Sequence, residues 1–370
     1  MFPKPRPIPP RDAQTLPARY YTDAQLFDRE MERIFARRWI AAGRVDEVSE
    51  PGSFVTRIVG RESLIIVCDR QDRLQAFFNV CRHRGTRICS APRGNFGETI
   101  QCPYHAWTYG LDGRLVGAPH MDNVPGFNRD DYPLHRVAVD EWDGHIFLHL
   151  TGGRDQSLRQ QLDALPEKFR AWQMGELRLG TRIVYDVRAN WKLIIQNYSE
   201  CLHCPIIHPA LNRLSHYLSG ENEPAHSAYI GGRMDLRPGF ETFSTDGLRH
   251  RGCLPGLAAE DRSRIYFYAV LPNLLLSPHP DYVMTQTLWP RACDRTEIVS
   301  EWLFHPDQIS RPDFTMDDVI TFWDETNRQD WHVSELSQLG IASRAYSPGP
   351  YSDREDLLYQ FDRMIVEMLE

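Results

Sequence analysis

Cys81 and His83 have one residue between them, and Cys102 and His105 have two, in a stretch reading CRHRGTRICS…CPYHAWTYG. Eighteen residues separate His83 from Cys102. Two short Cys–His pairs on separate loops make a two-sided clamp for a metal centre. The donor types restrict which centre that is. Four thiolates suit a plant-type [2Fe–2S] cluster, whereas two thiolates on one iron and two imidazoles on the other hold the mixed-ligand form. Tetrahedral zinc also accepts two Cys and two His, but zinc modules usually pair like with like, and here each loop supplies one of each. Gly85 can bring backbone close to a metal centre, and Pro103 stiffens the second loop. The ligand types favour the iron–sulfur reading over zinc.

A second constellation follows in residues 197–208, NYSECLHCPIIH. His203 and His208 are five apart, which does not align them on one ideal helical face. Pro205 offers a local distortion that lets both imidazoles reach one ion. Two histidines and a distant carboxylate form the facial triad of a mononuclear non-haem iron(II) oxygenase, with positions left open for dioxygen. Asp330, in FWDETNRQDWHVSELSQLG, is the expected third ligand. Steps of four and three place Val319, Trp323, Thr326, Asp330, Val333 and Ser337 on one helical stripe. An acid inside that largely apolar stripe needs a cationic partner. Asp324, Glu325 and Glu335 fall on other faces and read as solvated. The competing readings are two packed, hydrogen-bonded histidines, a zinc site from Cys201, Cys204 and His208, and a surface Asp330.

The elements that must carry these groups change character along the chain. Residues 17–40 show helical spacing, with Leu26, Met31, Ile34, Phe35 and Trp39 on one side, and Thr22 with Gln25 resembles a capping box. Short β-like runs follow at 54–59, 64–68, 74–80 and 145–150, divided by turn signals such as Asp112-Gly113 and Asp143-Gly144. A helix-like span at 158–172 is interrupted by Pro166. Strand-like runs recur at 181–187, 264–270, 274–277, 282–288 and 296–304, and residues 215–260 read as long loops. Helical character returns at 315–339 and 353–370. The expected class is α+β: a small all-β cluster domain at 41–150, and a larger antiparallel-sheet-and-helix domain at 151–370 with a ligand cavity. An N-terminal arm and helix, 1–40, are expected to pack on the larger domain.

At 370 residues the chain is long enough for about two domains. Its 42% hydrophobic and 25% charged residues are ordinary for a globular protein. A net charge of −8 argues against nucleic acid as a partner, because phosphate binding wants basic patches. No 18-residue apolar run is present, so no membrane helix is expected. The proline-rich start lacks the apolar core of a secretory signal. The eight cysteines are therefore read as residing in a reducing, cytoplasmic compartment rather than as a disulfide framework.

The two constellations together, in this order, resemble the α-subunits of Rieske non-haem iron oxygenases. The likeness covers nearly the whole chain and rests on CRHRG, CPYHAWTY and NYSECLHCPIIH. It implies a Rieske [2Fe–2S] cluster with Cys81 and Cys102 on one iron and His83 and His105 on the other, and a mononuclear Fe(II) on His203, His208 and Asp330. Glu200, three before His203, occupies the place of the family's acid that bridges to a cluster histidine of a neighbouring subunit, where many members have Asp. Glu200 and the C-terminal segment look like the branch oxidising quaternary ammonium compounds, including glycine betaine monooxygenases. Such an enzyme takes dioxygen and a small-molecule substrate, draws electrons from a separate NAD(P)H-dependent flavin or iron–sulfur reductase, and forms a homotrimer. A methylammonium group calls for an aromatic cage, with Tyr217, Tyr229, Phe240, Phe243, Tyr266, Tyr268 and Tyr282 available. The alternatives are an aromatic acid hydroxylated on its ring, with Arg233 or Arg237 on its carboxylate, and a Rieske electron-transfer protein without oxygenase activity.

Overall fold

A computed structural model describes residues 8–153 and 155–370. The proline-rich MFPKPRP of the expected arm lies outside the described residues. The chain divides into two compact units, residues 35–161 and residues 1–34 with 162–370.

The smaller unit is built from three antiparallel sheets. One runs Leu74–Phe78, Glu62–Cys68, Ser53–Val59, Arg93–Asn95; a second Ile40–Arg44, His145–His149, Ala138–Trp142; a third Thr99–Gln101, Thr108–Gly110, Leu115–Gly117. The Asp143-Gly144 signal closes a two-residue hairpin with positive φ at both positions, 46° and 80°. That is the turn whose twist matches the strands it joins. At Gly113, φ is 83° and an added Cβ would strike the Phe77 ring, so side-chain-free backbone is needed there. Phe54, Ile65, Val67, Phe77, Ile100, Trp107, Tyr109 and Leu115 form one buried core that includes Cys81 and Cys102.

The larger unit holds a seven-stranded antiparallel sheet in the order Arg178–Val187, Arg295–Phe304, Val283–Ala292, Leu274–Pro278, Arg264–Val270, Tyr229–Asp235, Glu221–Asn222. Two of these strands fall in the segment read as loops. Gly231 and Gly232 look like breakers in sequence, yet a Cβ at either would strike neighbouring-strand backbone, at Phe267 and Glu221 respectively. They are strand glycines where backbones approach closely. Helices Trp191–Tyr198 and Asp317–Ile341 contact each other, and Asp356–Leu369 ends the chain.

The expected N-terminal helix is broken. Arg19–Thr22 and Ala24–Glu30 are separate helices, followed by a π-turn at Met31–Phe35. The cap is Asp23, whose carboxylate accepts from Gln25 N and Leu26 N, while Thr22 Oγ1 donates back to Ala18 O. An Asp at the cap satisfies free amides better than the Thr22–Gln25 box could. The long helix is also less regular than its stripe. Val319, Trp323 and Thr326 are buried, but so are Asn327, Trp331, Ser334 and Gln338, while Ser337 is exposed. Neither Asp324 nor Glu335 is merely solvated: Asp324 accepts from Tyr185 Oη at 2.7 Å, and Glu335 from Arg188 N at 2.9 Å. No helix among the described residues is long and apolar enough to cross a membrane.

Candidate metal centres and cavity

In the smaller unit, Cys81 and His83 stand on the turn after Leu74–Phe78, and Cys102 and His105 on the turn between the strands Thr99–Gln101 and Thr108–Gly110. Each turn is fastened by its own backbone: Gly85 N donates to Cys81 O at 3.0 Å and Ala106 N to Cys102 O at 3.2 Å. Positive φ at Gly85 (72°) and Ala106 (55°) tightens both. Both thiols are buried, and the His83 and His105 rings lie 4.8 Å apart. Trp107 stacks on His83 at 4.8 Å. The two thiols face each other inside the core and the two imidazoles pair outside it, the division of donors that suits a mixed-ligand [2Fe–2S] cluster. Tyr109, fully buried, lies 3.3 Å from Cys81 Sγ and accepts from Arg82 N at 3.0 Å. Burial pushes its phenol up, so it remains protonated and able to donate to the sulfur. Spacing and donor type do not single out Tyr109, although it stands in the CPYHAWTY motif.

In the larger unit, Asn190 caps the helix Trp191–Tyr198 by accepting from Lys192 N at 3.0 Å. That helix is tied down by polar groups, of which Lys192 and Glu30 are fully buried. Lys192 Nζ meets Glu30 Oε1 at 2.5 Å, and Trp191 Nε1 donates to Glu30 Oε2 at 2.7 Å. Gln196 Nε2 donates to Asp362 Oδ1 at 2.6 Å. The chain then turns through Glu200, whose carboxylate accepts from Leu202 N and faces His203 Nδ1 at 2.5 Å. Pro205 does not kink a longer helix. It opens the one-turn helix Cys204–Ile207, with His203 at its start and His208 at its end. Those end positions bring the two rings to 5.1 Å.

The long helix supplies Asp330. Its Oδ1 is 2.7 Å from His208 Nε2 and 3.3 Å from His203 Nε2. One ligand atom from each of the three residues lies within 4.8 Å of the others. The electrostatics favour a cation at that point. Burial pushes the His203 imidazole down, but its hydrogen bonds to Asp330 and Glu200 outweigh this and hold it up at about 10. Burial raises the Asp330 carboxyl, but its bonds to both histidines win and hold it below the ordinary aspartate range. A pocket that retains a proton so strongly between two carboxylates suits a divalent ion in the proton's place. Two imidazoles and one carboxylate, with the rest of the coordination sphere open to a cavity, fit iron(II).

Cys201 and Cys204, the candidate zinc thiols, are joined in a disulfide that brackets His203. This departs from the expectation of reduced cysteines and withdraws both thiols from zinc. The other six cysteines are free.

A cavity of about 140 Å³ opens on the three ligands and Glu200, with aromatic walls from Tyr198, Tyr217, Phe267, Trp323 and Trp331. Of the seven aromatic cage candidates only Tyr217 lines it. Tyr266 and Tyr268, with Phe169, instead surround the chain's own Lys168 ammonium at 5.4–6.0 Å. Tyr282 donates to Phe243 O in the core. Phe267 was missed because it alternates along one strand with Tyr266 and Tyr268, and only the sheet's orientation distinguishes them. Arg233 reaches the wall but is paired with Asp235 at 2.7 Å and with Glu221. Arg237 donates to Asn212 O, off the cavity wall.

Comparison with known proteins identifies both domains. Residues 38–128 match the Rieske [2Fe-2S] domain, and residues 174–370 match the family described as ring hydroxylating alpha subunit (catalytic domain). The glycine betaine monooxygenase oxygenase subunit of Pseudomonas aeruginosa is 30% identical over 366 residues, covering 91% of this chain and 85% of that protein. The carnitine monooxygenase oxygenase subunit of Escherichia coli is 38% identical over 205 residues, 55% of this chain and 54% of that one. The structure of the quaternary ammonium Rieske monooxygenase CntA with L-carnitine superposes with a TM-score of 0.80 at 25% identity, covering 97% and 96% of the two chains.

Proposed function

The chain belongs to the Rieske non-haem iron oxygenase α-subunits, and from that membership we propose that it hydroxylates an N-methyl group of a betaine-type quaternary ammonium compound. The observation that carries this reading is the composition of the cavity wall. Five aromatic side chains and two acids, Glu200 and Asp330, surround the space beside the candidate iron ligands. Aromatic faces attract a methylammonium through their quadrupoles, and the effect grows where water is excluded. An aromatic acid carries no cationic group for those faces to attract, and its carboxylate, like a betaine's, would have to turn towards Arg233 or Arg354 on the same wall. A relative matched over most of both chains is a glycine betaine monooxygenase subunit, which supports the same substrate class.

In this reading Cys81, His83, Cys102 and His105 hold the [2Fe–2S] cluster, within a domain at 41–150. His203, His208 and Asp330 hold the mononuclear iron, within a domain at 151–370, and the helices Arg19–Thr22 and Ala24–Glu30 belong to the same compact unit as these ligands. Together the two centres supply one-electron transfer and dioxygen activation. The balance is one dioxygen, two electrons and two protons per substrate, giving a hydroxymethyl ammonium and one water. The hydroxymethyl product then breaks its C–N bond, releasing formaldehyde, a proton and the demethylated amine. The protein's own part is to orient the N-methyl group against the aromatic wall, exclude bulk water, and hold the ligand imidazoles in their binding tautomers. Electrons come from a separate NAD(P)H-dependent flavin or iron–sulfur reductase in the cytoplasm. A homotrimer brings one subunit's cluster beside the next subunit's iron, with Glu200 linking His203 to a cluster histidine across that boundary.

The test is a product screen with reductant and dioxygen, covering methylammonium compounds and aromatic acids. Formaldehyde from the former alone is the expected result. Phenol or dihydrodiol formation overturns the substrate class, and a chain with two irons and no oxygenated product would be an electron carrier.

A further inference from the structure

His208 is held from behind by a residue that does not touch the cavity. Its Nδ1 lies 2.7 Å from Gln329 Oε1, while its Nε2 faces Asp330 Oδ1 at 2.7 Å. An imidazole that ligates through Nε2 must carry its proton on Nδ1, so it needs an acceptor there. Gln329 is half-buried and stands outside the cavity wall formed by Glu200, His203, His208 and Asp330. It directly precedes Asp330, so one turn of the long helix delivers both a ligand oxygen and the oxygen that orients a second ligand.

The two imidazoles are treated differently. His203 has a carboxylate behind it, Glu200 at 2.5 Å, whereas His208, only 2% exposed, has a neutral amide. Asp330 and Glu200 bring two negative charges, which a divalent ion cancels. A third acid would leave the ferrous site negative and favour the ferric state. On the reading that His203, His208 and Asp330 hold iron, we propose that Gln329 is a positioning residue. It fixes the His208 tautomer for metal binding, and its neutrality keeps the site poised in the ferrous form.

The experiment uses full-length protein with its cluster intact and the mononuclear site emptied by an anaerobic chelator wash, then titrated with Fe(II). Affinity is read from the titration, and the site from the EPR spectrum of its ferrous nitrosyl. Gln329→Leu removes the acceptor at similar volume and is expected to weaken Fe(II) binding 10- to 100-fold and alter the nitrosyl spectrum, with the cluster signal unchanged. Gln329→Glu keeps an acceptor. It should restore affinity to near wild type while lowering the ferric/ferrous potential. Wild-type affinity and spectrum in Gln329→Leu, or an unshifted potential in Gln329→Glu, would overturn the proposal. Asp330→Ala separates the two levels of inference: it should lose mononuclear iron whatever Gln329 does, and retained iron there would overturn the site itself.

Discussion

Lys192→Met is expected to destabilise the larger unit by about 3–5 kcal/mol, the cost of leaving one member of a buried ion pair without its partner. Lys192 is fully buried, its Nζ 2.5 Å from Glu30 Oε1, and its ammonium also lies 5.0 Å from the Trp191 ring and 5.7 Å from that of Tyr21. Methionine fills similar volume, so little of the loss should come from a cavity. What remains is the Glu30 carboxylate, with Trp191 Nε1 still donating but no counter-charge. For a unit of this size each kcal/mol moves the melting temperature by about 2–4 °C, so a fall on the order of 10 °C is expected in a thermal melt followed by tryptophan fluorescence. Glu30→Gln together with Lys192→Met should recover more than half of it, because the stranded charge is gone and the tryptophan keeps its acceptor. A single variant within 1 kcal/mol of wild type, or a double variant no better than the single, would refute the argument that this pair anchors the helix leading into Glu200.

Asp362 gives the pH dependence a sign. Burial raises its carboxyl to about 6, against the bonds from Tyr351 and Gln196 that lower it, whereas an unfolded aspartate titrates near 4. The folded state therefore gains from acid: this contribution is complete below about pH 4 and is lost as pH rises through 6, roughly 3 kcal/mol in all. Melts from pH 4.5 to 7 should show that slope in wild type and a flatter one in Asp362→Asn; equal slopes would contradict it. Tyr109→Phe removes the only side-chain hydroxyl seen near Cys81 Sγ among the described residues. Hydrogen bonds to cluster sulfurs raise the potential, so the variant's cluster should be harder to reduce in a dye-linked titration, and an unchanged potential would exclude that bond. Glu200→Gln keeps the side-chain length but loses the charge behind His203. It should slow turnover sharply with both centres filled; unchanged turnover would remove its linking role.

The metal chemistry was legible in the sequence because it is written in residue types. Cys81, His83, Cys102 and His105 announce themselves by donor softness and close spacing, and Asp330 by being an acid in an apolar stripe. The α+β class followed from strand-like runs flanked by long helices. What the sequence concealed depends on tertiary packing. Gly231 and Gly232 read as loop until their neighbouring strands are present. Tyr266 and Tyr268 look as suitable for a cage as Phe267 until the sheet has an orientation, and Lys168 then proves to be the cation they enclose. The pairing of Lys192 with Glu30 joins residues 162 positions apart, and no local pattern relates them. Gln329 was hidden by its position: next to the acid but off the apolar stripe, an amide looks like solvent-exposed filler until His208 is placed against it.

The most direct measurement is the metal content of anaerobically purified wild type and Asp330→Ala, with iron and acid-labile sulfide counted per chain. Two iron sites predict three irons and two sulfides in the wild type, and loss of one iron without loss of sulfide in the variant. Zinc in place of iron, or an Asp330→Ala chain that keeps all three irons, would contradict the account.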